Sequence, residues 1–349
     1  EEIRGRIGDA LALEYRFGVK HYVKGPYSGG VPKEEFPEIG RDMDEGLQMA
    51  GMLEEAGFDA LHVDAGSYDS WYWAHPPGYL PYGCLAELAQ AAKNEVNIPI
   101  IGVGRLDDPQ VAVDVIEKGK MDVAAIGRGL LADAYWAKKL EQNRIQDIRP
   151  CIGCHDGCLD RIFQGKPLCC SVNPSTGRER IYRLHRSESP GKVMVIGGGV
   201  AGLEAARAAA LKGHAVELFE KSDVLGGHLI EATVPAFKED LGRLLKWYKR
   251  QMEDLKIDIR LETEITPEQM RKQEADAVIM ATGSDPVVLE IPGVNKNDAI
   301  TVGDVCRNRT DVGGEVIVIG GGLGGFVVAL ITVFKRSAAP VTATPATRD

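Results

Sequence analysis

Residues 149–174 read RPCIGCHDGCLDRIFQGKPLCCSVNP. Cys151, Cys154 and Cys158 bunch at C-x2-C-x3-C, and a fourth thiol follows at Cys169 or Cys170. Three thiolates this close in sequence reach one centre only if the backbone wraps tightly, and Gly153 and Gly157 permit that. Structural zinc favours two separate C-x2-C pairs. Three bunched ligands with a distant fourth are closer to an iron–sulfur pattern, so the stretch is read as a 4Fe-4S segment. A zinc knuckle and a disulfide staple are the competing readings. Before this stretch the chain has the alternation of a β/α barrel, and after it the chain reads as dinucleotide-binding α/β structure. A redox cluster at such a seam is well placed to pass electrons between two flavin-type sites.

The 349 residues suffice for two domains with real cores, and 44% hydrophobic with 26% charged residues is ordinary for a globular protein. A net charge of −10 argues against nucleic acid as a partner. Seven cysteines, an odd number with a cluster among them, suit a reducing cytoplasm better than a disulfide framework. Glu1-Glu2-Ile3-Arg4 has no signal-peptide pattern. The chain does not start with methionine. Ile3, Ile7, Ala10, Leu11 and Tyr15 fall at helical spacing, as if the chain opened inside a helix. It is therefore expected to be a fragment.

Residues 1–143 repeat strand, loop, helix. Strands are expected at 17–22, 60–63, 98–103 and 123–126, and helices at 43–56, 111–118 and 130–142. Short apolar strands alternating with helices indicate a parallel sheet with covered faces. Two successive strands end in glycine plus arginine, at Gly104-Arg105 and Gly127-Arg128. In (β/α)8 barrels the loops after strands 7 and 8 commonly form a phosphate site, with glycine admitting the anion and arginine supplying charge. Four strands in about half the ~250 residues of a full barrel suggest strands 5 to 8. The loop SYDSWYWAHPPGYLPY (67–82) follows the sixth, on the face where barrels carry active sites. Tyr68, Trp71, Tyr72, Trp73 and His75 are its candidate pocket residues, with Tyr72 and His75 as candidate proton donors.

Residues 191–349 begin with the strand Lys192–Ile196, then Gly197-Gly198-Gly199-Val200-Ala201-Gly202, a small-residue helix over 203–211, and the strand Ala215–Phe219 ending in Glu220. This is G-x-G-x-x-G in strand–turn–helix context. Gly197 makes the turn, Gly199 admits the pyrophosphate, Gly202 permits close packing, and Glu220 would hold the ribose. Lys221, Gly227 and His228 lie in the following loops, and Ala281, Thr282 and Gly283 end the later strand Ala277–Met280 beside the same expected site. The motif recurs at Gly320, Gly322 and Gly325, which suggests FAD first and NAD(P)H second. Residues 316–334 carry no charge, but the glycines favour strand–turn–helix over a membrane span. The tail SAAPVTATPATRD is low-complexity and expected to be disordered. A reading-frame shift near Phe326 is the expectation for this abrupt change.

Taken together, CIGC, GCLDRIF and SVNP, with Gly104-Arg105 and IGRG at 126–129, resemble the multi-cofactor branch of the old yellow enzyme family. That branch includes 2,4-dienoyl-CoA reductase, 2-enoate reductase and bile-acid 3-oxo-Δ4-steroid reductases. The resemblance implies that the fourth cluster ligand is Cys170, just before the x-V-N-P sequence of Ser171–Pro174, and that Lys20 lies beneath the FMN ring. It also sets Asp69 where the family often has a catalytic histidine, which favours the enoate and bile-acid branch over the dienoyl-CoA proton relay.

The fold class implied is α/β. It comprises the C-terminal half of an FMN-binding (β/α)8 TIM barrel over 1–143, a 4Fe-4S segment and linker over 144–190, and an incomplete Rossmann-like FAD/NAD(P)-binding domain over 191–349. The activity implied is NAD(P)H-driven reduction of an activated C=C bond in an enone, enoate or acyl-CoA. Electrons would run from NAD(P)H through FAD and the cluster to FMN. An amine dehydrogenase of the same architecture and an inactive fragment are the rival readings. A small-molecule substrate, no nucleic acid and no membrane are expected, and a homo-oligomer is compatible with the reading.

Overall fold

The computed structural model describes residues 2–286, 300–307 and 317–319. The chain divides into two compact units, 1–183 and 184–349. The cysteine-rich stretch falls inside the first.

The first unit is built on a parallel sheet. Strand β1 is Glu14–Lys20, and a short antiparallel ribbon, β2 Val23–Gly25 with β3 Ser28–Gly29, follows it. Then come β4 Ala60–Ala65, β5 Ile100–Gly102 and β6 Val123–Ala124. The sheet order is β1-β4-β5-β6, all neighbours parallel, as in successive units of a TIM-barrel-like domain. Period-2 alternation sends Phe17, Val19, Leu61, Val63 and Ile100 into the core, against Ala50, Ala89 and Met121. Polar Arg16, His62 and Asp64 occupy the opposite face.

Helix signals act where expected. Asp42 caps Met43–Glu55 by accepting from the Glu45 amide at 2.9 Å, and Asp108 caps Pro109–Glu117 with proline in its first turn. Gly46 lets the first of these helices lie on β1, since a Cβ there would sit 1.9 Å from the Val19 carbonyl oxygen.

Two expectations are corrected. The opening helix is only Glu2–Ile7, ending at Gly8 (φ +57), and Tyr15 belongs to β1. The helix expected over 130–142 is two, Arg128–Ala132 and Trp136–Glu141. Buried Asp133 breaks it, because its carboxylate accepts from the Tyr135 and Arg149 amides and pairs with Lys139.

In the second unit β7 (Lys192–Ile196), β8 (Ala215–Phe219), β9 (Asp258–Arg260) and β10 (Ala277–Met280) form a parallel sheet in the order β10-β7-β8-β9. Val200–Leu211 packs on β7 and β8 through Leu203 and Ala206, both fully buried. The amphipathic helix Glu239–Asp254 buries Leu244, Trp247, Tyr248 and Met252. This is the Rossmann-like arrangement, with the first βα turn at the carboxyl end of the sheet. The repeated motif at Gly320, Gly322 and Gly325, the change near Phe326 and the tail lie outside the described residues. Among the described residues, no helix is long and apolar enough to cross a membrane.

Candidate functional site

The loops after β5 and β6 frame a cavity of about 430 Å³ in the first unit, within the range of small-molecule and cofactor sites. Gly104, Arg105, Gly127, Arg128 and His75 all line it. The space beside Gly127 is open, with nothing within 4 Å of where its Cβ would stand, as a group approaching the backbone requires.

The two arginines do different work. Arg105 is buried at the end of β5, and its Nη1 donates to the carbonyls of Gly78 (2.8 Å) and Leu80 while the guanidinium stacks on Tyr82. It thus clamps the aromatic loop. Arg128 donates through Nη2 to the Pro76 carbonyl at 2.7 Å, and its Nη1 lies 2.5 Å from His155 Nε2.

The aromatic loop is a packed structure, and of its five candidate pocket residues His75 alone lines the cavity. Trp73 is buried, stacked on Tyr22 with ring centroids 4.1 Å apart, and its indole N–H donates to the Gly30 carbonyl. Tyr72 gives its hydroxyl proton to the same carbonyl, and burial, then Glu34 and Tyr79, raise its pKa. His75 faces the cavity, and burial, then the charge of Arg128, lower its pKa. Tyr68 is exposed and stacks on Trp71. Lys20 ends β1 with its ammonium 4.7 Å from the Tyr22 ring centroid, and Asp69 accepts from the Tyr27 amide at 2.6 Å. Neither of these two is among the residues lining the cavity.

A second cavity in this unit is lined by Cys151, Cys154, Cys158 and Cys170, with Arg128, Leu131 and His155. Cys170 rather than Cys169 faces it. Gly157 makes the meeting possible: a Cβ there would stand 2.9 Å from Cys170 Cα and Ser171 N and 3.0 Å from the Cys169 carbonyl oxygen. The Cys169 amide donates to the Gly157 carbonyl at 2.8 Å and locks this approach. The SVNP segment is tied down by Asn173 and Thr176, which both donate to the Leu131 carbonyl.

Among the described residues, no three His, Cys, Asp or Glu side chains converge on one point as a single metal ion requires. Four thiols around a cavity, with the Gly153 amide donating to Cys151 Sγ at 3.4 Å, suit the sulfur-rich donor set of an iron–sulfur cluster. Burial, then Asp107, pushes the Cys151 thiol up to about 12, and burial also raises Cys158. All seven cysteines are free. His155 is pushed down to about 4 by burial, then by Arg128 and His75, so it is neutral at pH 7.

The second unit holds a cavity of about 650 Å³ lined by Gly197, Gly199, Ala201, Glu220, Lys221, Gly227, His228 and the Ala281-Thr282-Gly283 turn. Gly202 is fixed by packing: a Cβ would lie 1.8 Å from the Gly197 carbonyl oxygen. Gly199 keeps its side of the cradle open, its nearest neighbour being Gly227 Cα at 3.9 Å. A pyrophosphate fits such a backbone cradle at a helix N-terminus. Burial would raise the Glu220 pKa, but hydrogen bonds from the Ser222 and Gly198 amides outweigh it and hold the carboxylate low.

Sequence reasoning missed Thr301, Asp304 and Arg307, which also line this cavity. Arg307 and His228 share Glu231, at 2.8 and 3.0 Å. The available signal was the Thr301/Asp304 capping box at the start of Val302–Cys306. His155 was also missed, although it lies between two of the cysteines.

Residues 32–147 match the NADH:flavin oxidoreductase / NADH oxidase family, and residues 191–344 match the pyridine nucleotide-disulphide oxidoreductase family. The chain thus joins an NADH:flavin oxidoreductase / NADH oxidase domain to a pyridine nucleotide-disulphide oxidoreductase domain, a combination consistent with the multi-cofactor enoate reductase branch. FMN goes with the first domain, FAD and NAD(P) with the second.

The chain is 44% identical over 330 residues to a cinnamate reductase of Clostridium sporogenes, covering 95% of this chain and 49% of that protein. It is 38% identical to an NADH oxidase of Thermoanaerobacter brockii, covering 93% and 49%. A 2-naphthoyl-CoA reductase structure superposes with a TM-score of 0.87 at 28% identity, over 95% of this chain and 49% of that one. The chain thus spans about half the length of the curated relatives it matches.

Proposed function

We propose that this protein is an NAD(P)H-dependent flavin and iron–sulfur oxidoreductase that reduces an activated C=C bond of the enoate, dienoyl-CoA or 3-oxo-Δ4-steroid type. The observation that carries the reading is the pairing, in one compact unit, of the Gly104/Gly127/Arg128 cavity with a cavity lined by four thiols. When bound, the flavins supply hydride chemistry and a 4Fe-4S cluster supplies single-electron transfer.

The chain's residues hold and tune. Gly104 and Gly127 bring backbone to the flavin phosphate, and Arg128 adds its charge. Cys151, Cys154, Cys158 and Cys170 are the cluster ligands. Gly197, Gly199 and Gly202 cradle the FAD pyrophosphate, and Glu220 serves the adenosine ribose. Tyr72 keeps its proton at neutral pH, and His75 faces the cavity as a neutral imidazole able to relay one. Seven free thiols support a reducing, cytoplasmic setting.

The 44% identity to a cinnamate reductase supports an aryl enoate as the first substrate to test. A second reading, oxidation of an N-methylated amine, draws on 34% identity to an N,N-dimethylglycine/sarcosine dehydrogenase of Chromohalobacter salexigens. The test is anaerobic purification followed by iron, sulfide, zinc and flavin analysis, then NADH-driven loss of cinnamate. About four iron and four sulfide per chain, with FMN and FAD, is the expected result. Zinc without flavin would overturn the reading. Oxidation of sarcosine with no reduction of cinnamate would favour the second.

A further inference from the structure

We propose that His155 is a positioning residue that fixes Arg128 as a cationic wall shared by the flavin-side cavity and the cysteine cavity, coupling the loading of one to the other. The inference rests on the flavin and cluster reading above.

Arg128 and Leu131 line both cavities and so stand in the wall that the two share. The cysteine turn itself reaches through, because Cys158 lines one cavity and its neighbour Leu159 the other. Arg128 is held at two points, by the Pro76 carbonyl and by His155 Nε2 at 2.5 Å. Arginine has only donors, so the imidazole nitrogen is the acceptor. A carboxylate in that place would hold the guanidinium equally well but cancel its charge. An imidazole acceptor leaves the full cation facing both cavities, and both expected occupants, a flavin phosphate and a tetrathiolate cluster, are anionic.

The backbone adds a second observation. His155 stands at φ +63, a conformation that histidine adopts at a cost, in the turn between Cys154 and Cys158. Glycine or asparagine would make that turn more easily. The contact with Arg128 supplies the reason for a histidine there.

The test uses the full chain, loaded anaerobically, as wild type, His155→Ala and His155→Gln. FMN affinity is read from fluorescence on release, and the cluster midpoint potential from an EPR-monitored redox titration. In His155→Ala the FMN dissociation constant rises roughly tenfold, as for loss of a hydrogen bond to a charged group. The cluster midpoint falls, because the cation is no longer fixed beside it.

His155→Gln restores most of the FMN affinity, since its amide oxygen accepts from arginine while its backbone is as disfavoured at φ +63 as that of alanine. Equal losses in the two variants would mean a mere turn residue and overturn the proposal. So would an FMN affinity and midpoint unchanged in His155→Ala. If His155→Ala does not fold, Arg128→Lys replaces it: loss of both readouts supports the wall, and retention of both overturns it. Wild type lacking iron or FMN defeats the parent reading, and this one with it.

Discussion

Replacing Gly157 by alanine should detach the fourth ligand from the cysteine cavity. The new methyl carbon would lie 2.9 Å from Cys170 Cα and Ser171 N and 3.0 Å from the Cys169 carbonyl oxygen. All three are main-chain atoms, so no side chain can swing aside. Carbon contacts settle at roughly 3.5–4.0 Å, so the 169–171 segment must retreat by more than half an ångström. Forced overpacking of this kind costs about 1–3 kcal/mol. Charged to the folded, ligand-ready arrangement, that is a roughly 5- to 150-fold loss in cluster assembly at limiting iron. The assay is iron and sulfide per chain after anaerobic reconstitution, followed by absorbance near ~400 nm. Gly51→Ala is the control: it lies in Met43–Glu55 with nothing within 4 Å of its Cβ, and it should load normally and gain about 0.5–1 kcal/mol of stability. Full iron and sulfide content in Gly157→Ala at limiting iron would refute the reasoning.

Other outcomes follow from the same geometry. Cys170→Ser should abolish stoichiometric cluster while Cys169→Ser retains it, as judged by iron content, since only Cys170 lines the cavity. Gly202→Val should prevent FAD retention, because even a Cβ meets the Gly197 carbonyl oxygen at 1.8 Å; flavin analysis of the purified chain checks it. The Ser222 and Gly198 amides hold the folded Glu220 carboxyl below the ordinary glutamate range, so its stabilising effect is complete above that range and is lost as pH falls through the lower folded pKa. Glu220→Gln should flatten the acid limb of a thermal-stability profile and weaken FAD binding.

Much of the fold was legible because it is written in local patterns. The strands β7, β8 and β10 fell where the sequence set them, since short, mostly apolar runs bounded by glycine or a charge leave little choice of register. The helix Ala86–Glu95 was not read in the sequence: its fully buried residues, Ala86, Ala89 and Ala92, are alanines, with no large apolar side chain among them to mark a core-facing stripe. Nor was the break at Asp133, which depends on Lys139 and the Arg149 amide closing over one carboxylate.

At the sites, the glycine motifs and cysteines declared themselves because backbone approach and soft-metal binding restrict residue type. The separate duties of Arg105 and Arg128 did not. Both follow a glycine at a strand end, and only the packing of residues 76–80 distinguishes them. Arg307 reaches the FAD-side cavity through Glu231, a partner 76 positions away in sequence.

The clamp of Arg105 on the Gly78 and Leu80 carbonyls has a consequence for how such an enzyme can diversify. Arg105 lines the cavity after β5 and also sets the shape of the loop beside it. Mutations that rebuild residues 76–82 must therefore keep their carbonyls in register with one guanidinium, or lose the shape of the cavity as well. Selectivity can drift through the side chains of that loop, at exposed Tyr79, far more freely than through its length. Insertions there should be rare among active variants, and exchanges of its exposed aromatic side chains common.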